Sequence, residues 1–278
     1  MWKSTFLGLA GILGLVACQE ITEIDLPQEE PRLVVEGELT NTEGPHYVRL
    51  TLTQSYFDKG PEPVVTNAEV WVTDSQNNRF DYTYSEDGFY LSNNLTGETG
   101  ETYNLHFIYD GNEYRSSGVL NASPILDSLD VKYFPERGGG VLEEGYYLRF
   151  YGRIPKETPK YFRIKVYEND SLYNDRTDLI VPDAQFVPSR LDSIELGYQF
   201  VQDDEVRVEL YVLNQDMYDY YVELRSLLFN DGGLFSPPPR NPTSNISNIS
   251  QPNRPPLGYF QVSSFDSETI LVDEAKAK

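Results

Sequence analysis

Apolar and polar residues alternating at period two, turn signals about every ten residues, and one late stretch with apolar residues three or four apart predict a mostly β chain. The predicted fold is two immunoglobulin-like β-sandwich domains with one C-terminal amphipathic helix and a proline-rich loop. The 278 residues are 39% apolar and 13% aromatic, enough to bury two small cores. Lys and Arg number 22 against 44 Asp and Glu, a formal charge of −22, which argues against nucleic acid because a phosphate backbone is bound by neutralising it. One cysteine and two histidines leave no disulfide framework and no Cys/His zinc site.

The elements follow in chain order. Met1-Trp2-Lys3 is basic, Phe6 to Val16 is apolar or small, and Leu15-Val16-Ala17-Cys18 follows. As a helix the 11-residue apolar run spans about 16 Å, half of a ~30 Å hydrocarbon core, so it reads as a secretory signal and not as a membrane span. A lone cysteine directly after Leu-Val-Ala resembles the bacterial lipoprotein box. That resemblance implies that residues 1–17 are removed, that Cys18 is acylated on its thiol, and that the mature protein meets the membrane through this anchor. Residues 18–31 form an acidic tether with Glu20, Glu23, Asp25, Glu29 and Glu30. It resembles the surface-export signals of Bacteroidota lipoproteins, with a plain solvated linker as the alternative.

The first sandwich spans 32–121, with strands expected at 33–39, 47–53, 69–72, 79–84, 103–109 and 113–119. Asp110-Gly111-Asn112 is a tight hairpin turn, because Asp and Gly tolerate positive φ. Asn121-Ala122-Ser123-Pro124 marks a boundary, since a residue before proline is pushed out of the helical region. The second sandwich spans 122–273, with strands at 128–133, 146–152, 161–167, 193–197, 205–213, 257–262 and 268–272, and residues 274–278 are a tail. Met217, Tyr220, Tyr221, Leu224, Leu227 and Leu228 place a helix over 215–230, with Asn214 able to cap it and Gly232-Gly233 ending it. Seven prolines, four asparagines and four serines in residues 236–256 exclude helix and central strand there.

Catalytic signals are sparse. His46 and His106 fall in or beside strands far from any nucleophile motif, and no Gly-rich phosphate loop, nucleophile elbow or His-Glu-x-x-His helix is present, so no enzyme is expected and no cofactor is called for. Asp170, Asp175 and Asp178 crowd one loop and offer the oxygen ligands calcium uses, although the EF-hand spacing is missing. A solvated loop is the alternative. Tyr56-Phe57 sits at the tip of an expected exposed loop, where aromatic area suits a glycan or peptide ligand. Ser128, Ser171 and Ser193 lie in Asp-Ser-apolar triplets that resemble the O-glycosylation sequon of Bacteroidota.

Several segments together resemble a Bacteroidota outer-membrane lipoprotein family, domain of unknown function 4249. They are Arg32-Leu33-Val34-Val35-Glu36-Gly37, Val70-Trp71-Val72-Thr73-Asp74, Pro124 to Leu129, Phe235-Ser236-Pro237-Pro238, Asn241-Pro242, Ser244-Asn245-Ile246 and Leu257-Gly258-Tyr259-Phe260. Ser247 to Pro256 is longer than the glycine-containing stretch at that place in the family. The resemblance implies a cell-surface accessory subunit of a TonB-dependent outer-membrane barrel that takes part in nutrient uptake. Partner contacts are then expected from Phe235, Pro237, Pro238, Asn241, Asn245, Ile246, Tyr259 and Phe260. The alternative is a free-standing adhesin or glycan-binding module that uses Tyr56 and Phe57.

Overall fold

A computed structural model describes residues 30–55, 58–135, 144–156, 158–185, 187–233 and 236–273. The chain opens with seven strands, β1 (Leu33–Leu39), β2 (His46–Leu52), β3 (Glu69–Thr73), β4 (Arg79–Tyr84), β5 (Phe89–Ser92), β6 (Thr102–Tyr109) and β7 (Asn112–Val119). Six more follow: β8 (Ile125–Phe134), β9 (Gly145–Arg153), β10 (Phe162–Glu168), β11 (Ser171–Leu172), β12 (Arg190–Phe200) and β13 (Glu205–Val212). Helix α1 (Gln215–Leu228) precedes the last strands, β14 (Ser247–Asn248), β15 (Leu257–Val262) and β16 (Phe265–Leu271).

The alternation read from the sequence decides which side chains go inside. On β1, Leu33, Val35 and Leu39 are buried while Glu36 and Glu38 face outward; on β6, Tyr103, Leu105 and Phe107 are buried. These strands belong to a nine-stranded sheet of order β14-β7-β6-β3-β4-β5-β2-β1-β15. Strand β4 links its two halves, because residues 79–82 pair with β3 while Thr83 and Tyr84 pair with β5. The fold-over encloses the first core. The second core lies between the sheet β11-β10-β13-β16 and the sheet β12-β9-β8 and is built on Leu148, Phe150, Val166, Phe200, Val206 and Val208. A mostly β, sandwich-like fold, with one helix among the described residues, is thus what the chain forms.

The C-terminal segment departs from the expected domain assignment. Residues 247–248 and 257–262 were expected in the second sandwich, yet β14 pairs with β7 and β15 runs parallel to β1, so both complete the first sheet. The reason is register: β15 sets Gly258 against Val35 and Phe260 against Gly37, and Phe260 fills the first core beneath a residue with no side chain. Strand β16 then returns to pair with β13. Because the chain crosses between the two sheets systems three times, residues 31–278 form one compact unit. Three asparagines seal the crossing: Asn41 hydrogen-bonds both main-chain groups of Phe265, Asn214 Nδ2 donates to the carbonyls of Val119 and Val262, and Asn121 Nδ2 donates to Asn214 Oδ1. Asn214 does occupy the helix N-cap position, but its side chain is spent on this seal and makes no cap hydrogen bond.

Candidate functional site

The site is built on helix α1. Its stripe of Met217, Tyr220 and Tyr221 is buried against Leu213, Val181 and Tyr259, which fixes the helix between the two sandwiches. Tyr221 also anchors it through polar contacts: Arg163 donates to its hydroxyl at 2.6 Å, and the hydroxyl donates to Gln261 Oε1 at 2.7 Å. Gln261 Nε2 and Lys165 Nζ both reach Glu38 Oε2, at 3.5 and 3.4 Å. This chain of polar groups joins the outward face of the first sheet, the helix and the second sheet. Burial holds the Lys165 ammonium below the usual lysine range, opposed by the Glu38 carboxylate, and raises the Tyr221 hydroxyl.

The flank of α1 beside this stripe carries Asp216 and Glu223, seven residues apart and therefore on one side of the helix about 10.5 Å from each other. Asn230 continues the row just past the helix end. Each holds one point of the proline-rich segment, which runs back along the helix. Asn230 Nδ2 donates to the carbonyl of Pro237 at 2.9 Å, the Thr243 N–H donates to Glu223 Oε2 at 2.6 Å, and Asn245 Nδ2 donates to Asp216 Oδ2 at 2.8 Å. The turn leading in is fixed by Asp231, whose carboxylate accepts from the Gly233 N–H and the Ser236 hydroxyl, and these bonds hold it below the ordinary carboxylate range. From Pro237 to Thr243 there are six residue steps, held at one end by Asn230 just past the helix and at the other by Glu223 on it. Between these clamps the segment forms an arch over the helix end. Beneath it lies a cleft of about 500 Å³ lined by Glu223, Ser226, Leu227 and Asn230 on the helix side and by residues 237–241 and Thr243 on the other.

Residues 237–241 are exposed along the arch. Pro237, Pro238 and Asn241 are thus where a partner can reach them. Asn245, Ile246, Tyr259 and Phe260, expected from the resemblance to touch the same partner, do other work. Ile246 and Phe260 are 2% and 1% exposed and belong to the first core. Asn245 clamps β15 by donating to the Phe260 carbonyl and accepting from the Phe260 N–H, both at 2.9 Å. Tyr259 packs between Tyr220 and Tyr221 at ring separations of 5.1 and 5.9 Å. These four are corrected from contact residues to supports of the arch. The Ser247 to Pro256 stretch adds strand β14 to the sheet edge and is tied down by Arg32, which donates to the Pro255 carbonyl at 2.9 Å. Sequence reasoning left out Pro239 and Arg240, which sit in the middle of the arch. The spacing of Asp216, Glu223 and Asn230 is the signal that could have located it.

Cys18, Tyr56, Phe57 and Phe235 lie outside the described residues. Asp178 accepts from the Asp175 N–H at 2.7 Å and from the Tyr198 hydroxyl at 3.1 Å, and Asp170 is exposed in a turn. Among the described residues no group of three or more His, Cys, Asp or Glu could hold a metal ion, and Asp170, Asp175 and Asp178 are not brought together as one. Ser128, Ser171 and Ser193 are all exposed; Ser128 and Ser193 sit at register shifts of β8 and β12. His46 is buried and accepts from the Thr40 N–H at 3.4 Å, while His106 stacks on Trp71 at 5.3 Å.

No curated protein matches the sequence. Among solved structures, a two-fibronectin type-III domain segment from chicken tenascin is similar at 9% identity and a TM-score of 0.22, covering 66% of this chain and 91% of that one. A family model described as a domain of unknown function (DUF4249) matches residues 19–269, which takes in the arch, its clamps on α1 and the β1–β15 seam. On the strength of that match over nearly the whole chain, the protein belongs to the DUF4249 family.

Proposed function

We propose that this protein is a lipid-anchored outer-membrane lipoprotein whose body faces the cell surface, where it acts as a non-enzymatic accessory subunit of a TonB-dependent transporter in nutrient uptake. The observation that carries this reading is the arch. Five consecutive exposed residues, 237–241, are held by side-chain hydrogen bonds, at Pro237 from Asn230 just past α1 and beyond them at Thr243 to Glu223 on α1, although they complete no core. An exposed loop on a rigid scaffold is where recognition usually sits, and a proline-rich one has little backbone freedom left to lose on binding. The acidic coat and the Leu-Val-Ala-Cys18 start support a tethered protein that a partner reaches through its loops.

The test is copurification. The full lipoprotein, tagged at its C-terminus and extracted in mild detergent from the outer membranes of its native host, should bring down a large barrel protein in near-equal amount. Elution of the lipoprotein alone would count against the reading. Protease treatment of intact cells, set beside lysed cells, should degrade the body in both, and protection in intact cells would place it on the periplasmic side instead.

A further inference from the structure

We infer that the arch is recognised as a left-handed polyproline helix by a protein groove lined with aromatic side chains, and that a carboxylate in this groove pairs with Arg240. The inference rests on the accessory-subunit reading and names the chemistry of its partner. Ser236, Pro237 and Pro238 each precede a proline, which excludes the α region for all three, and the rings of Pro237, Pro238 and Pro239 fix φ near −65°. Three residues per turn then present the rings as ridges, and such ridges fit slots between flat aromatic side chains. The ordering that a free proline-rich peptide would undergo on binding is already in place, because Asn230 and Glu223 hold the two ends.

Arg240 sets register and direction. It is exposed on the arch and makes no ion pair or hydrogen bond among the described residues; Arg190 and Arg225 are likewise without an ion pair there, but Arg240 alone of the three adjoins the run of prolines, while Arg49, Arg79, Arg115, Arg149, Arg153 and Arg207 are paired with carboxylates. On a chain of net charge −22, an unpaired guanidinium beside three prolines is a local reversal of sign, and the complementary group is an anion. An anionic lipid surface is a poor candidate, since one basic residue adds only about 1 kcal/mol there and the surrounding acids oppose it.

The copurification described above tests this with four additions. First, Pro237→Ala/Pro238→Ala/Pro239→Ala in one chain, shown to be folded by an unchanged melting temperature, should lower partner recovery about tenfold. Arg240→Glu should do the same, with Arg240→Lys keeping most of the recovery. A poly-L-proline decapeptide at millimolar concentration should displace the unaltered chain from its partner. Finally, the Arg240→Lys chain treated with a carbodiimide should form an amide, with loss of water, between its Nζ and the partner carboxylate. Mass spectrometry should then identify an Asp or Glu with Trp, Tyr or Phe around it. Full recovery by the folded triple-alanine chain, or a bound Arg240→Lys chain that forms no amide, overturns the inference and leaves the accessory-subunit reading standing. Recovery of no partner by the unaltered chain overturns both.

Discussion

Gly258→Ala tests whether the seam between β1 and β15 is what closes the first sandwich. Gly258 has φ +88° and faces Val35, where an added Cβ would lie 1.9 Å from the Val35 carbonyl oxygen and 2.8 Å from its carbon. Both are backbone atoms, so no side chain can turn aside to make room. An alanine at this φ costs roughly 1–3 kcal/mol in backbone strain alone. Relieving the clash also requires β15 to move away from β1, which weakens one or two ladder hydrogen bonds at about 1 kcal/mol each. The sum is about 2–5 kcal/mol, a large share of the roughly 5–15 kcal/mol that holds a domain folded. At about 2–4 °C per kcal/mol for a chain of this size, the melting temperature should fall by roughly 4–20 °C in scanning calorimetry. Gly100 supplies the control, since it has φ +93° but nothing within 4 Å of its added Cβ. Gly100→Ala should show the strain without the clash, a drop of about 2–12 °C that stays smaller than that of Gly258→Ala by the ladder bonds lost there, about 2–8 °C. If the two variants melt within 2 °C of each other, as about 0.5 kcal/mol would allow, the steric argument fails.

Three further outcomes follow from the same contacts. Asn245→Ala leaves both main-chain groups of Phe260 without their 2.9 Å partners and should cost about 2–4 kcal/mol, with faster protease cleavage within 236–244; an unchanged cleavage rate would show that Asn245 does not hold the arch. Burial lowers the pKa of His46, so the unfolded chain takes up the proton first; stability from this residue is complete above pH ~6.5 and is lost as pH falls below it, at up to about 1.4 kcal/mol per pH unit. Denaturant titrations at pH 7.5 and 5.5 should therefore show a smaller difference for His46→Gln than for the unaltered chain, and an equal difference would remove His46 as the cause. Lys165→Met and Glu38→Gln each strand one member of a 3.4 Å pair whose side chains are 12% and 18% exposed, so each should destabilise by about 2–4 kcal/mol. The double variant should lose less than the sum of the two, and strict additivity in the cycle would mean that the pair is not coupled.

Much of the fold was legible because strands such as β1, β6 and β10 bury one face. The expected strand at 79–84 and the observed β4 coincide, and the expected helix at 215–230 ends two residues beyond the observed one, where the chain leaves the helix through Phe229. What could not be read was pairing across long separations. Leu257 to Val262 alternates like any strand, and nothing local says that it lies beside β1, more than 200 residues earlier in the chain, instead of beside β13. Strand β5 was missed for a related reason: four residues, Phe89 to Ser92, are too few to establish a period. At the candidate site, proline composition pointed to the segment that is clamped on α1. Composition alone does not separate exposed residues from clamped ones, which took the hydrogen bonds of Asn245 and the burial of Ile246 to decide.

That separation bears on how the family signature should be read. Gly37 and Gly258, at opposite ends of the chain, serve one contact: Gly37 leaves space for the Phe260 ring, whose Cδ2 would stand 2.8 Å from an added Cβ, and Gly258 lets the paired strand approach Val35. Asn245 then fixes Phe260 from the other side while its second hydrogen bond reaches Asp216 on α1. Closing the first sandwich and setting the arch are thus coupled, most directly through Asn245. A change at Gly258 that loosens β15 should loosen the arch as well, through Phe260 and Asn245 and through Tyr259 and Gln261, which meet Tyr220 and Tyr221 on α1. Motif residues in the seam are accordingly expected to alter stability and partner binding together, whereas Pro238, Pro239 and Arg240, which support nothing, should alter binding alone.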